Sequence, residues 1–230
     1  MDIKRIYQAH RFEGKDPPEI YRCFNNADAD NFDFNKGGRL YGKFQEMSRN
    51  DRQKIRIDGE PVTELDLKAS HLSILYAWIH NAIPERDPYV FEGLPRPVVK
   101  LVITAMIGKG ENYLNRWPQK GRQELSAQLK LTPQQFSRKY PIQEVQKRIL
   151  KRHSVLHQLE PGTLDWADLQ FTESKVLIGA ILRLGKEHDI AALPVHDSLI
   201  VRQDQAELAE QMFSDSFLKI VGTTPTITRK

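Results

Sequence analysis

Cysteine is almost missing from this chain: Cys23 is the single one in 230 residues. An intrachain disulfide is therefore excluded, and a reducing intracellular setting, the cytoplasm, is the expectation. No uncharged apolar run approaches the roughly 20 residues that span a bilayer, so no membrane role is expected. The opening stretch "MDIKRIYQAHRFEGKD" lacks the apolar core of a signal peptide. Neither sign of charge dominates, since 34 Lys and Arg face 30 Asp and Glu for a net charge of +4. That mild basic excess suits a nucleic-acid partner without requiring one. Internal repeats, low-complexity tracts and a linker between independent domains are also missing.

What is present is enough apolar material for a core, 40% of residues. Residues 1–37 read as polar and irregular. Within them "NNADADNFDFNKGG" gathers Asp28, Asp30 and Asp33 without the Gly and terminal Glu of a calcium loop, which reads as a solvated loop. "KIRID" and "PVTELDL" alternate like strands and are joined by Gly59-Glu60, a hairpin pattern. "SHLSILYAWIHNAI" has helical spacing at Leu72, Leu75, Trp78 and Ile79, with Ser70 as the expected N-cap and Tyr76 and Trp78 expected in the core. "PRPVVKLVITAMIGKG" predicts a helix entered through Pro97 and stopped by Gly108 and Gly110. Further helices are predicted from Thr132, from Pro141 and over "TESKVLIGAILRLGKEHD". Two short strands, "AALPV" and "SLIVRQ", then flank His196-Asp197, and a helix and a strand-like "TPTITRK" end the chain. Few strands scattered among many helices predict an α+β fold with a small antiparallel sheet.

The chemistry-bearing residues start with "LPVHDSLIV", where Asp197 interrupts an apolar hairpin. A carboxylate there is costly unless something compensates it. Asp66 ends the earlier hairpin. If the two hairpins are neighbours, the carboxylates share a patch and repel unless a cation lies between them. Mg²⁺ takes oxygen ligands and keeps positions open for water and phosphate. The other reading is two unrelated turn aspartates. Arg96 and Lys100, at i and i+4, fall on one helical face and could meet a triphosphate, or could form a solvated edge of a core helix. Lys147, Arg148, Lys151 and Arg152 could track phosphates or be a solvated face. Lys54 and Arg56 could flank a template or line a polar sheet face.

In their order, these segments resemble the polymerase region of family A nucleic-acid polymerases, the group of DNA polymerase I and the single-subunit phage-type RNA polymerases. "GGRLYGKFQ" is similar to the Thr-Gly-Arg-Leu segment that opens the palm, "ELDLKASHLSILYA" to motif A, "RPVVKLVITAMIG" to motif B, "LQFTESKVLIGAIL" to the segment around the family's glutamine, and "LPVHDSLIV" to motif C. The resemblance runs from about residue 37 to the C-terminus. It implies residues 1–36 as an N-terminal extension, and residues 37–230 as a palm with a fingers insertion at about 85–140 and a reduced or missing thumb. It implies Asp66 and Asp197 as catalytic metal-binding residues, helped by the Leu67 carbonyl, with two Mg²⁺ ions and Mn²⁺ as the alternative. Arg96, Lys100, His71 and Ile107 would face the nucleotide, and Arg39, Gln170 and His196 the nucleic acid, the other readings being a turn arginine after Gly37-Gly38 for Arg39 and a capping or solvent role for Gln170. His196 would hold the primer end or orient Asp197, or simply pack in its hairpin.

The departures from the pattern bear on specificity. Ile107-Gly108 stands where motif B has Tyr-Gly, and the spacing from Arg96 and Lys100 to that Gly is one residue short. His71 stands where the DNA polymerases carry a glutamate, and motif C reads His-Asp-Ser as in the RNA polymerases. The resulting expectation is template-directed nucleotidyl transfer on a primer–template with nucleoside triphosphates. DNA is the expected product, RNA synthesis and primase activity are alternatives, and a replication or processivity partner would replace the thumb. The competing readings are a metal-dependent nuclease and an inactive polymerase-like module that only binds nucleic acid or protein.

Overall fold

The structure, a computed structural model, describes residues 2–13, 18–30, 32–160 and 164–230. Parts of the N-terminal stretch (Met1 and 14–17), Asn31 of the acidic loop, and Pro161-Gly162 at the end of the helical segment from Pro141 lie outside the described residues. Two compact units emerge: Met1–Ile83 with Ala167–Lys230, and Pro84–Trp166.

In the first unit, β3 (Arg56–Ile57) and β4 (Glu60–Leu67) form the expected hairpin, and β5 (Leu193–Val195) and β6 (Ser198–Arg202) form a second. β4 and β6 pair antiparallel and join the hairpins into one sheet, ordered β3-β4-β6-β5. β7 (Ile227–Arg229) pairs with the far end of β4, at Leu65, Asp66 and Leu67. The sheet's apolar residues Leu65, Leu67, Leu199, Ile200 and Val201 are buried, with helices α3 (Ser70–His80), α8 (Trp166–Glu187) and α9 (Ala206–Val221) supplying Leu72, Leu75, Leu169, Val176, Phe213 and Phe217 to the core. Helices α8 and α9 approach closely at Gly179, where an added Cβ would lie 2.6 Å from the Ser216 hydroxyl.

The N-terminal stretch is more ordered than its polarity suggests. Helix α1 (Ile3–Gln8) is capped by the Asp2 side chain, which accepts from the Arg5 N–H at 2.9 Å. Its Ile6 and Tyr7 are buried, and the Tyr7 hydroxyl donates to the Ala192 carbonyl at 2.8 Å. A helix of under two turns offers too few positions for periodicity to show. Strand β1 (Tyr21–Phe24) pairs with β2 (Gly37–Tyr41), the strand that carries Arg39. The short helix α2 (Arg49–Arg52) leads into β3. Asp28, Asp30 and Asp33 are exposed, as a solvated loop requires.

Other details differ from the expectation. Ser70 is not the N-cap of α3 but its first residue. The cap position is Ala69, held at φ +51° with no side-chain capping bond, and the buried Ser70 hydroxyl has no hydrogen-bond partner. Trp78 is 43% exposed rather than in the core, because the buried face of α3 runs through Leu72, Ile74, Leu75 and Ala77 and leaves the last turn outside it. Tyr76 is half-buried.

The second unit holds α4 (Arg96–Lys109), α5 (Gln119–Gln128), α6 (Pro133–Lys139) and α7 (Ile142–Arg152). Val98, Val102, Met106, Phe136, Val145 and Ile149 are buried. Trp117, Phe136 and Tyr140 meet edge to face, with ring centroids 5.0 and 5.3 Å apart. Thr132 caps α6 in a capping box with Gln135. Gly108 does not stop α4: the helix continues to Lys109 and ends at Gly110, whose φ of +65° suits glycine. Among the described residues no helix is long and apolar enough to cross a membrane.

Candidate active site

Asp66 and Asp197 meet through the backbone. Asp66 lies opposite Ser198 in the β4–β6 ladder, and the next residue, Leu67, donates its N–H to the Asp197 carbonyl at 3.2 Å. His196 and Asp197 form the turn between β5 and β6. His196 sits at φ +53°, in the left-handed region that non-glycine residues adopt infrequently, Asn, Asp and His more often than others. Both aspartates are half-buried. The Asp197 carboxyl is pushed up to about 7, first by burial and then by the facing carboxylates of Glu173 and Asp66. Its own backbone N–H and Arg39 oppose that rise.

Glu173, on α8, is a site residue that the sequence motifs do not single out. Its side chain is 1% exposed. Arg39 on β2 donates to Glu173 Oε1 through Nε at 2.8 Å and Nη2 at 2.5 Å. His71, in the first turn of α3, brings Nε2 to 3.4 Å from Glu173 Oε2, though without hydrogen-bonding geometry. Burial lowers the His71 pKa against the pull of Glu173 and with the help of Arg39. One turn before Glu173, the Gln170 side-chain oxygen, turned to the guanidinium, accepts from Arg39 Nη1 at 3.0 Å. The signal for Glu173 is its spacing: with Leu169, Val176 and Leu177 it lies on the apolar stripe of α8, where a carboxylate must find a partner. His196 is exposed, and its pKa is lowered by partial burial and then by Arg39.

Two other contacts complete the surroundings. Glu64, two residues before Asp66, is held by Arg52 Nη2 at 3.1 Å and lies 2.8 Å from the Ser198 hydroxyl. Lys230, just past β7, places its ammonium 2.6 Å from Asp66 Oδ1.

The fit of this donor set to a divalent ion rests on its chemistry. Among the described residues no group of three or more His, Cys, Asp or Glu side chains is arranged to hold a metal ion. The chain therefore offers Asp66, Asp197 and nearby carbonyl oxygen, an all-oxygen set that suits Mg²⁺, which commonly uses one or two carboxylates and keeps its waters. That donor chemistry is compatible with the ion.

The remaining expected residues belong to the second unit. Arg96 and Lys100 share one face of α4, as their spacing predicts: the guanidinium is 5.1 Å and the ammonium 5.9 Å from the centre of the Tyr89 ring. Arg96 Nε also donates to Asp87 Oδ2 at 2.9 Å. Ile107 is buried on the apolar side of α4. In the basic helix α7, Arg148 and Arg152 donate to the backbone carbonyls of Glu92 and Val90, so half of that cluster is tied to its own unit rather than presented to a phosphate backbone. In the first unit, Lys54 precedes β3 and pairs with Asp51 at 2.7 Å, while Arg56 is exposed on the strand.

No protein-family model matches the sequence, and a comparison with curated proteins finds no match. Among solved structures, the POL domain of Pol1 from M. smegmatis, in complex with DNA primer-template and dNTP, is similar to this chain with a TM-score of 0.48 and 13% sequence identity. The likeness covers 94% of this chain and 47% of that one, so the chain spans about half the length of that structure. At that TM-score the likeness is loose, and it assigns no residue a role.

Proposed function

We propose that this chain is a metal-dependent nucleotidyltransferase that extends a nucleic-acid strand along a template. The observation that carries the reading is that the sheet brings Asp66 on β4 beside Asp197 in the β5–β6 turn, with Asp66 opposite Ser198 and the Leu67 N–H donating to the Asp197 carbonyl. The order of the five sequence segments supports it, and the all-oxygen donor set is compatible with it. In this reading the unit Pro84–Trp166 is the fingers part and the sheet-bearing unit is the palm.

Asp66, Asp197 and the Leu67 carbonyl would hold Mg²⁺. Two such ions, when bound, supply positive charge to an attacking hydroxyl and to leaving phosphate oxygens. The chain's own residues do the positioning. A strand's 3′ oxygen forms a bond to the α-phosphorus, the bond from that phosphorus to the β-bridging oxygen breaks, pyrophosphate leaves, and the hydroxyl proton passes to solvent. Arg96 and Lys100 would bind the triphosphate, Arg96 exchanging Asp87 for phosphate. His71 would border the nucleotide as a neutral imidazole, whereas Ile107, buried on the apolar side of α4, would pack that helix rather than meet a ligand. Arg39 and Gln170 form one hydrogen-bonded unit that would meet the primer–template, with His196 at the primer end.

The test is extension of a labelled primer–template with Mg²⁺ and either deoxy- or ribonucleotides. Wild type extends, while Asp66→Asn and Asp197→Asn each lose nearly all extension but still bind primer–template. Shortening of the primer without added nucleotide would favour the nuclease instead. Binding with no extension under any nucleotide would favour the inactive module.

A further inference from the structure

Lys230 is outside every role assigned above, yet it makes the closest contact to a proposed catalytic carboxylate. Its position follows from the ladder. Glu64 and Lys230 exchange backbone hydrogen bonds, Glu64 N–H to the Lys230 carbonyl at 3.3 Å and Lys230 N–H to the Glu64 carbonyl at 3.0 Å. Thr228 lies opposite Asp66. Directly paired residues share a face, and every second residue along a strand returns to it. Lys230 and Thr228 are thus on the face of Glu64 and Asp66, and Lys230 is the diagonal neighbour of Asp66. Diagonal neighbours about 7–8 Å apart are within reach of a long side chain. The other cross-strand carboxylate on this face, Glu64, is already matched by Arg52, so the ammonium reaches Asp66 at 2.6 Å.

The register is fixed from several sides. Arg229, on the opposite face, pairs with Glu210 of α9 at 2.6 Å. The Thr63 hydroxyl donates to the Lys230 carbonyl at 3.2 Å. Charge matching points the same way: Glu173 is paired with Arg39, Glu64 with Arg52, and Asp66 with Lys230.

We propose that Lys230 is a functional member of the site, a built-in counter-ion of Asp66 that competes with a divalent cation and so sets the site's affinity for it. The inference rests on the reading of Asp66 and Asp197 as cation-binding residues. A cation arriving at Asp66 displaces the ammonium and breaks this ion pair.

The test is Mn²⁺ binding to the full chain, followed by electron paramagnetic resonance without nucleotide or nucleic acid. Lys230→Gln is expected to bind Mn²⁺ about two- to fivefold tighter than wild type, the range an accessible ion pair allows. Lys230→Arg keeps the charge and should stay near wild type. In an Asp66→Asn background Lys230→Gln should have no effect. Unchanged circular dichroism and melting will show that the variants are folded. Equal Mn²⁺ affinity of wild type and Lys230→Gln, with Asp66→Asn still weakening binding, would overturn the role of Lys230 and leave the proposed function standing. Mn²⁺ binding insensitive to both Asp66→Asn and Asp197→Asn would overturn both.

Discussion

Glu173 is the residue around which the site's charges are arranged. It is buried on α8 and engages Arg39 through two nitrogens, with His71 beside its second oxygen. Removing one member of a buried pair strands the other charge. Glu173→Ala should therefore lower stability by about 3 kcal/mol, and Glu173→Gln, whose amide still accepts from Arg39, by about 1 kcal/mol. Urea unfolding midpoints check this. Equal midpoints for Glu173→Ala and wild type would mean that Arg39 finds another partner at no cost. Asp197 gives a second prediction. Its carboxyl ordinarily titrates near 3.8 and here is pushed up to about 7. Between those values the folded state binds more protons than the unfolded one, so this group makes stability fall as pH rises from 4 to 7, with no further change above. Asp197→Asn removes that slope. The variant should gain about 4 kcal/mol over wild type at pH 8, measured without divalent ions, and little at pH 4. A gain that does not grow with pH would contradict the assignment. At this scale the cost of a carboxylate in an apolar hairpin draws attention to Asp197, and the end of the earlier hairpin to Asp66. The sequence does not reveal Lys230, because that contact depends on which strand lies beside β4.

At the scale of elements, the turns that lead from strands into the site carry unusual backbone. Ala69 follows β4 at φ +51°, three residues after Asp66, and His196 precedes Asp197 at φ +53°. Left-handed backbone is unfavourable for residues with a Cβ, and such strain gathers at functional sites when the surrounding fold enforces it. Ala69→Gly should consequently be neutral or stabilising by about 0.5–1 kcal/mol, against the usual direction for Ala→Gly near a helix. Calorimetric melting is the measurement, and a loss of stability would show that the turn is not strained. The same turn explains why Ser70 misleads. Ser is a favoured N-cap, but the left-handed residue needed to turn β4 into α3 takes the cap position and moves Ser70 into the helix. The hairpins and the start of α6 at Thr132 are legible because their signals are local. Helix α1 is not, because its burial depends on contacts with distant residues such as Ala192.

At the scale of the whole molecule, the α+β class and the antiparallel sheet follow from few short strands scattered among many helices, and the sheet brings together Asp66 and Asp197, residues far apart in the chain. Arg96, Lys100 and Ile107 belong to the unit Pro84–Trp166, and the two aspartates to the other. The central claim is that Asp66 and Asp197 act as one catalytic group. Groups that act as a unit give strongly non-additive losses. The most direct measurement is the single-turnover rate of primer extension by wild type, Asp66→Asn, Asp197→Asn and the double variant. Each single variant should fall as far as the double, about a thousandfold or more in rate, as for other groups that work as a unit. Losses that multiply in the double variant, or a single variant that extends at the wild-type rate, would contradict the account.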